Sequence, residues 1–195
     1  MSGAGYPWEQ PPSGASAAIA AALSAQVPVL TTARLCLRAP RMQDFAGWVQ
    51  IATTDRGRFI GGPMSREEAW ADFNQMVAGW LLRGHGLWSV ERLSDGALLG
   101  FVPVNHEWGD PQAELGFLFL AVAEGQGYAA EAALAARDFC FTRLGWPEVV
   151  SYIDPENSRS MALARRLGAV ELPAGSHPAE PDVAVFRHSR PEGAQ

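Results

Sequence analysis

A strand-like run from Glu114 to Leu120 passes through 121–125 into Gln126-Gly-Tyr-Ala-Ala-Glu-Ala132, which sets a glycine-bearing turn at the start of a long helix. The first N–H groups of a helix have no intrahelical acceptor and lie at the positive end of its dipole. Such a turn is therefore a ready seat for a pyrophosphate. Gly125 and Gly127 have no Cβ, which lets the backbone come close to phosphate oxygens. The same pair would also suit a plain tight strand-to-helix turn. Gly125-x-Gly127-x-x-Ala130 further matches the dinucleotide fingerprint, with Asp154 placed for a ribose contact. A dinucleotide fold, however, needs more βα units after that acid, and only one helix and two short strands remain. Three strand-like runs also precede the glycines, where such a domain would begin.

The elements that must position this turn follow from periodicity and capping. Residues Met1 to Pro28 are rich in Gly, Pro, Ser and Ala and read as a mobile tail with room for a short helix, ahead of a single domain over 29–190. Arg34-Leu-Cys-Leu-Arg38 alternates like a half-buried strand. Asp44 stands as an N-cap before Phe45, Trp48, Val49 and Ala52 at helical spacing. Ser65-Arg-Glu-Glu68 is a capping box ahead of an apolar face from Trp70 to Leu81, and Gly84 ends that helix. Leu87 to Leu93, Ala97 to Val104 and Ala113 to Leu120 read as an antiparallel meander joined by Ser94-Asp-Gly96 and Gly109-Asp-Pro111. A helix Tyr128 to Leu144, a strand Val149 to Ile153, a helix from about Asn157 to Leu167 and a strand Val183 to His188 complete the order β-α-α-β-β-β-α-β-α-β-β. This is α+β: a mixed, mostly antiparallel sheet flanked by helices.

Bulk properties narrow the function. The 195 residues are 48% hydrophobic, enough to fill one core. A formal net charge of -6 disfavours a nucleic-acid binder, which needs clustered cations, and suits a cationic ligand or an amine. All 15 basic residues are arginine, so no lysine is present to form a Schiff base or act as nucleophile. Cys36 and Cys140 show neither zinc nor disulfide spacing and read as core residues, so no metal is expected. No basic residue precedes Arg34, so the Ala-rich stretch before it lacks the start of a signal peptide. The longest apolar run, Leu115 to Ala123, is far below the ~20 residues of a membrane helix. A cytoplasmic protein without membrane association is expected.

Read in order, Glu114-Leu-Gly-Phe117, the Glu124-Gly-Gln-Gly-Tyr-Ala-Ala-Glu-Ala132 loop, and Asn157-Ser-Arg-Ser160 followed by Arg166-Leu-Gly-Ala169 resemble the RimJ/RimL-like branch of the GNAT N-acetyltransferases. The match extends from roughly Thr31 to His188 and includes Gly86-Leu-Trp88 and Phe186-Arg-His188. The resemblance implies a GNAT fold and transfer of an acetyl group from acetyl-CoA (coenzyme A) to a primary amine. That amine would be a protein or peptide N-terminus or a small molecule, such as an aminoglycoside-like compound. It implies that the strand ending near Leu120 splays from Val149 to Ile153 and that pantetheine enters the gap, its amides pairing near Phe117 and Phe119. The pyrophosphate loop maps onto Glu124, Gly125, Gln126, Gly127, Tyr128 and Ala129. Ser160 takes the place from which a hydroxyl reaches the coenzyme sulfur, and Asn157 that of a coenzyme contact. Helix capping is the plain alternative for both. Homodimers are common in this branch.

Glu124 departs from the family pattern, which has Arg, Gln or Trp there. A carboxylate ~6 Å from a phosphate charge costs roughly 2 to 3 kcal/mol at an effective dielectric near 20. Its side chain is therefore expected to turn to solvent and only its backbone to join the site. The same departure motivates a second reading, a catalytically silent domain that binds acyl-CoA as a sensor or interaction module.

An amine attacks a thioester only when neutral, yet α-amino groups have pKa near ~8 and lysine-like amines near ~10, so some group must take a proton. Glu114 is the first candidate, since alternation puts it on one strand face with Gly116 and Leu118. Its alternative is a structural carboxylate paired with an arginine. His106 is the second candidate, while His85, His177 and His188 have no suggestive sequence neighbours. A strand N–H near Phe119 could stabilise the developing oxyanion. Acceptor choice is placed on Thr53 to Met64, where Asp55, Arg56, Arg58 and Gly61-Gly62-Pro63 form a lip. Trp80, Trp88 and Trp108 are candidates to line it, although aromatic residues at such spacing usually belong to the core.

Overall fold

The capping signals set the helices of the computed structural model, which describes residues 6–191. The first five residues of the expected tail lie outside the described residues. The rest of that tail holds a 3-10 turn, Pro7–Glu9, and helix α1, Gly14–Ser24; Glu9 pairs with Arg66 at 2.7 Å. Helices α2 (Phe45–Ala52) and α3 (Arg66–Arg83) follow. At α3 both bonds of the Ser65/Glu68 capping box form, and Gly84 closes the helix at φ 76. Helices α4 (Tyr128–Thr142) and α5 (Ser158–Arg166) lie later in the chain. Among the described residues, no helix is long and apolar enough to cross a membrane.

Asp44 takes the N-cap position of α2 but makes no side-chain cap bond to that helix. Its carboxylate accepts from the Arg41 N–H and closes the 3-10 turn Met42–Asp44 before the helix. It also binds Arg38 at 2.7 Å and the Ser89 hydroxyl at 2.7 Å. A buried acid is better served by an arginine than by the lone N–H of a helix end.

The strands are β1 (Leu30–Thr31), β2 (Leu35–Arg38), β3 (Leu87–Arg92), β4 (Leu98–Asn105), β5 (Glu114–Leu115), β6 (Leu118–Phe119), β7 (Glu148–Ile153), β8 (Val170–Glu171) and β9 (Ala184–Ser189). They form one sheet in the order β1-β2-β3-β4-β5-β7-β9-β8, with β6 paired to β4. Every pairing is antiparallel except β5 with β7. Period-two alternation divides the core: Leu87 and Phe101 join Phe45, Trp48 and Phe73 under α2 and α3, while Trp88 and Val102 join Ala132, Ala136 and Phe139 of α4 on the other face. Cys140 is buried there, whereas Cys36 is only half-buried.

The expected single strand from Ala113 to Leu120 is two pieces. Continuing the β4 register sets Pro103 opposite Gly116, and proline has no N–H to return to the ladder, so only the Gly116 N–H to Pro103 bond (3.0 Å) is made there. A Cβ at Gly116 would lie 2.8 Å from Pro103 Cγ, so the interruption also needs a glycine. Beyond it β7 no longer follows. The parallel pairing is held at Glu114 and Val150, and β6 keeps only β4 as neighbour. A gap opens between β6 and β7.

Candidate active site

The gap continues into a cavity of about 1370 Å³ lined from α3, the 3-10 turn Asp55–Phe59, β4 to β7, the start of α4 and α5. Gly116 and Leu120 donate toward β4, so in this ladder Phe117 and Phe119 direct their own N–H and C=O to the opposite edge, facing the gap. The Phe119 carbonyl accepts from Arg56 Nη2 at 2.8 Å.

Gly125 and Gly127 adopt φ 72 and 77, a left-handed conformation that other residues reach only with strain, and Gly127 is the N-cap of α4. No described residue accepts from the backbone N–H groups of Gly125 to Ala129. Their orientation at the helix start leaves a row of donors at the positive end of the α4 dipole. The side chains of the loop are occupied otherwise. Gln126 Nε2 donates to the Val122 carbonyl at 2.8 Å, and Tyr128 is buried with Arg34 stacked 4.5 Å from its ring.

Arg34 fixes the turn, a role that nothing local in the sequence signals. It donates to the Gln126 carbonyl at 3.0 Å and pairs with Glu131 of α4 at 2.6 Å, and Glu131 also accepts from Thr32 and the Arg34 N–H. Burial pushes the Glu131 pKa up, but these hydrogen bonds outweigh it and leave a net lowering.

Glu124 corrects the sequence reading in part. Its side chain is 40% exposed, as expected of one turned to solvent, but the carboxylate also sits between Arg56 at 2.6 Å and Arg159 at 3.0 Å; the hydrogen bond from Arg56 is the main cause of its lowered pKa. Two guanidinium groups around one carboxylate leave the mouth of the loop net positive, which removes the electrostatic objection to a phosphate there.

Glu114 and Ser160 line the same cavity. Asn157 caps α5, its side chain accepting from the Ser160 N–H at 3.1 Å. Glu114 has no arginine partner among the described residues; the Tyr152 N–H approaches it at 3.3 Å. Burial, then the nearby Glu107 and Asp110, push its pKa up to about 8.

Several lesser expectations change. His106 turns into its own loop, Nε2 lying 2.8 Å from the Asp110 carbonyl, and does not line the cavity. His177, which has no telling sequence neighbours, does line it, packed edge-on to Tyr152 and accepting from the Glu180 N–H at 2.9 Å. None of Trp80, Trp88 and Trp108 lines the cavity: Trp80 and Trp88 pack in the core and Trp108 is fully exposed. Trp48 and Phe59 take their place.

A family model for the acetyltransferase (GNAT) domain matches residues 34–170. The chain belongs to the GNAT acetyltransferase family. An acetyltransferase of solved structure from Agrobacterium tumefaciens str. C58 is similar to this GNAT chain at 36% identity and a TM-score of 0.79, over 84% of this chain and 95% of its own. RimL, a ribosomal L7/L12 alpha-N-protein acetyltransferase in complex with coenzyme A, shares the fold at 17% identity and a TM-score of 0.67, over 83% of this chain and 98% of its own. YkkB, an uncharacterized protein of Bacillus subtilis (strain 168), is 33% identical over 104 residues, 51% of this chain; the match spans 58% of the length of that relative. The GNAT fold also sets aside a doubly wound dinucleotide fold, and the splayed strands are in keeping with the RimJ/RimL-like resemblance.

Proposed function

We propose that the protein transfers an acetyl group from acetyl-CoA to a primary amine. The observation that carries this reading is the row of unpaired N–H groups from Gly125 to Ala129, set at one end of a gap whose wall offers the strand edge of Phe117 and the Phe119 N–H. These groups fit the coenzyme: the row holds the diphosphate, Arg56 and Arg159 add positive charge, and the strand edge pairs with pantetheine amides as an added strand would. RimL, which shares the fold, is in complex with coenzyme A, which supports coenzyme A as the ligand. When bound, acetyl-CoA supplies an acetyl group activated as a thioester.

Glu114 takes the amine proton. Its pKa of about 8 lies close to that of an α-amino group, near ~8, so the carboxylate is basic enough to accept the proton and forms within the physiological range. The Phe119 N–H would be the donor available to the carbonyl oxygen on which negative charge grows, leaving Phe117 to the pantetheine amides. Ser160 Oγ donates toward the departing sulfur, which needs only modest help because a thiol pKa is near ~8.5. Glu124, the motive for a catalytically silent domain, is neutralised by its two arginines and no longer argues for one.

Calorimetry with acetyl-CoA, followed by free-thiol release over an amine panel, tests the proposal. Saturable binding and amine-dependent thiol release are expected. An absence of binding at millimolar coenzyme would end it.

A further inference from the structure

A second set of carboxylates lines the cavity from elements that take no part in the diphosphate seat: Asp72 on α3, Glu107 and Asp110 after β4, and Glu180 between β8 and β9. They feel one another. Asp72 is pushed up to about 6 by burial and then by Glu107; Glu107 is exposed on its outer side, but the protein around its carboxylate, then Asp110 and Glu180, raises it as well. Elsewhere the acids Asp44, Glu124 and Glu131 each hold an arginine. Here, among the described residues, no arginine pairs with any of the four, and the nearest basic group is His177, 4.0 Å from Asp110.

Asn105 adds an independent observation. It is 9% exposed and lines the same cavity; its Nδ2 donates to Glu107 at 2.8 Å, while its buried Oδ1 has no hydrogen-bond partner. A buried acceptor left unpaired is costly and marks a place where a donor is missing. Trp48 Nε1, beside Asp72, is a buried donor without a partner at this end; the other unmatched groups accept hydrogen bonds or carry negative charge. The complementary ligand brings N–H donors and positive charge, and more of both than one amine supplies.

We propose that the acceptor is a small polyamine, with one or more ammonium groups besides the amine that is acetylated. The additional ammonium sits among Asp72, Glu107, Asp110 and the Asn105 Oδ1, while the reacting amine faces Glu114. A peptide N-terminus with an uncharged tail brings a single cation and leaves the second set of carboxylates unmatched. The role given to Glu114 rests on the acetyltransferase reading; the second ammonium subsite does not.

The test is calorimetric titration of spermidine, and separately of butylamine, into the full chain, with and without saturating coenzyme A. Spermidine is expected to bind about 100-fold more tightly than butylamine, about tenfold for each further ammonium, and to weaken as salt is raised. In the Asp72→Asn/Glu180→Gln double variant that ratio should fall toward one with coenzyme A affinity unchanged. Glu107→Gln, on an exposed loop, gives the same readout if the double variant does not fold. Equal affinities for the two amines, no spermidine binding, or a preference that survives both variants would overturn the inference. Loss of coenzyme A binding in the unmodified protein would instead overturn the acetyltransferase reading, and the arm without coenzyme would still decide on the polyamine.

Discussion

At the α4 end of the cavity, charge is balanced within the protein: Glu124 lies between Arg56 and Arg159, Glu131 holds Arg34, and the unpaired groups are backbone donors fixed by a helix. At the α3 end, Asp72, Glu107, Asp110 and Glu114 lie together without an arginine, and burial, then mutual repulsion, raises the pKa values of Asp72, Glu107 and Glu114. The first end is preorganised and loses little when an anion arrives. The second is held in an uncomfortable state that a cation would relieve. Strain of this kind is what a binding or catalytic end retains while the rest of a fold is satisfied.

The sharpest way to break the comparison is Glu114→Gln. If the strained end does the chemistry, turnover should fall by about 10² to 10⁴, the usual worth of a general base, with coenzyme affinity unchanged. Glu114 is neutral below about pH 8 and a carboxylate above it, so the unmodified protein should gain rate as pH rises through 8, and the variant should lose that limb. Stability supplies a second readout. Between the ordinary 4.5 and about 8 the folded protein keeps a proton that the unfolded chain has shed, so stability falls as pH rises through that window. The variant lacks this loss, and its melting temperature relative to the parent should be higher at pH 9 than at pH 4. A parent-like rate and profile would reduce Glu114 to a structural part.

Gly127→Glu attacks the other end. A side chain at φ 77 costs roughly 1 to 2 kcal/mol, and a carboxylate ~6 Å from a diphosphate adds about 2 to 3 kcal/mol, so coenzyme affinity should drop by about 10² to 10⁴. Gly127→Ala keeps only the backbone strain, since its Cβ would lie 3.6 Å from Arg34 Nη2, an ordinary contact, and should cost about tenfold. Calorimetry separates the two. Full coenzyme affinity in Gly127→Glu would mean that the phosphate seat lies elsewhere.

The two ends were not equally legible in the sequence. The donor row could be read because a helix start is a local object: Gly125, Gly127 and the following periodic residues lie within one short segment. The same holds for the Ser65 capping box and Gly84. The acidic end is assembled from three distant segments, and only the folded sheet brings Asp72 and Glu180 beside Glu107. The place of His177 is silent in the sequence for the same reason, since Tyr152 and Asp110, which it meets in the cavity, are far away in the chain. The split of the third strand was hidden for a different reason. Its apolar residues run without a break, and the cause is Pro103 on the strand opposite, so one strand's pattern cannot reveal it. Glu124 reads as a defect in the sequence because Arg56 lies 68 positions away.

Glu124 also allows the gentlest test, because the two ends predict opposite signs for removing a carboxylate. At the α3 end, loss of an acid should weaken the cationic ligand. At the α4 end, Glu124→Gln leaves Arg56 and Arg159 free to face a phosphate, so coenzyme affinity should rise by about two- to fivefold at low salt. The gain should vanish at high salt, because these groups are partly exposed and screened. Arg56→Ala should weaken binding by a similar factor, since it removes both a cation and the donor that holds the Phe119 carbonyl. If Glu124→Gln weakens binding as well, the carboxylate acts mainly to aim the arginines. The α4 end would then depend on where its cations are held more than on how many there are.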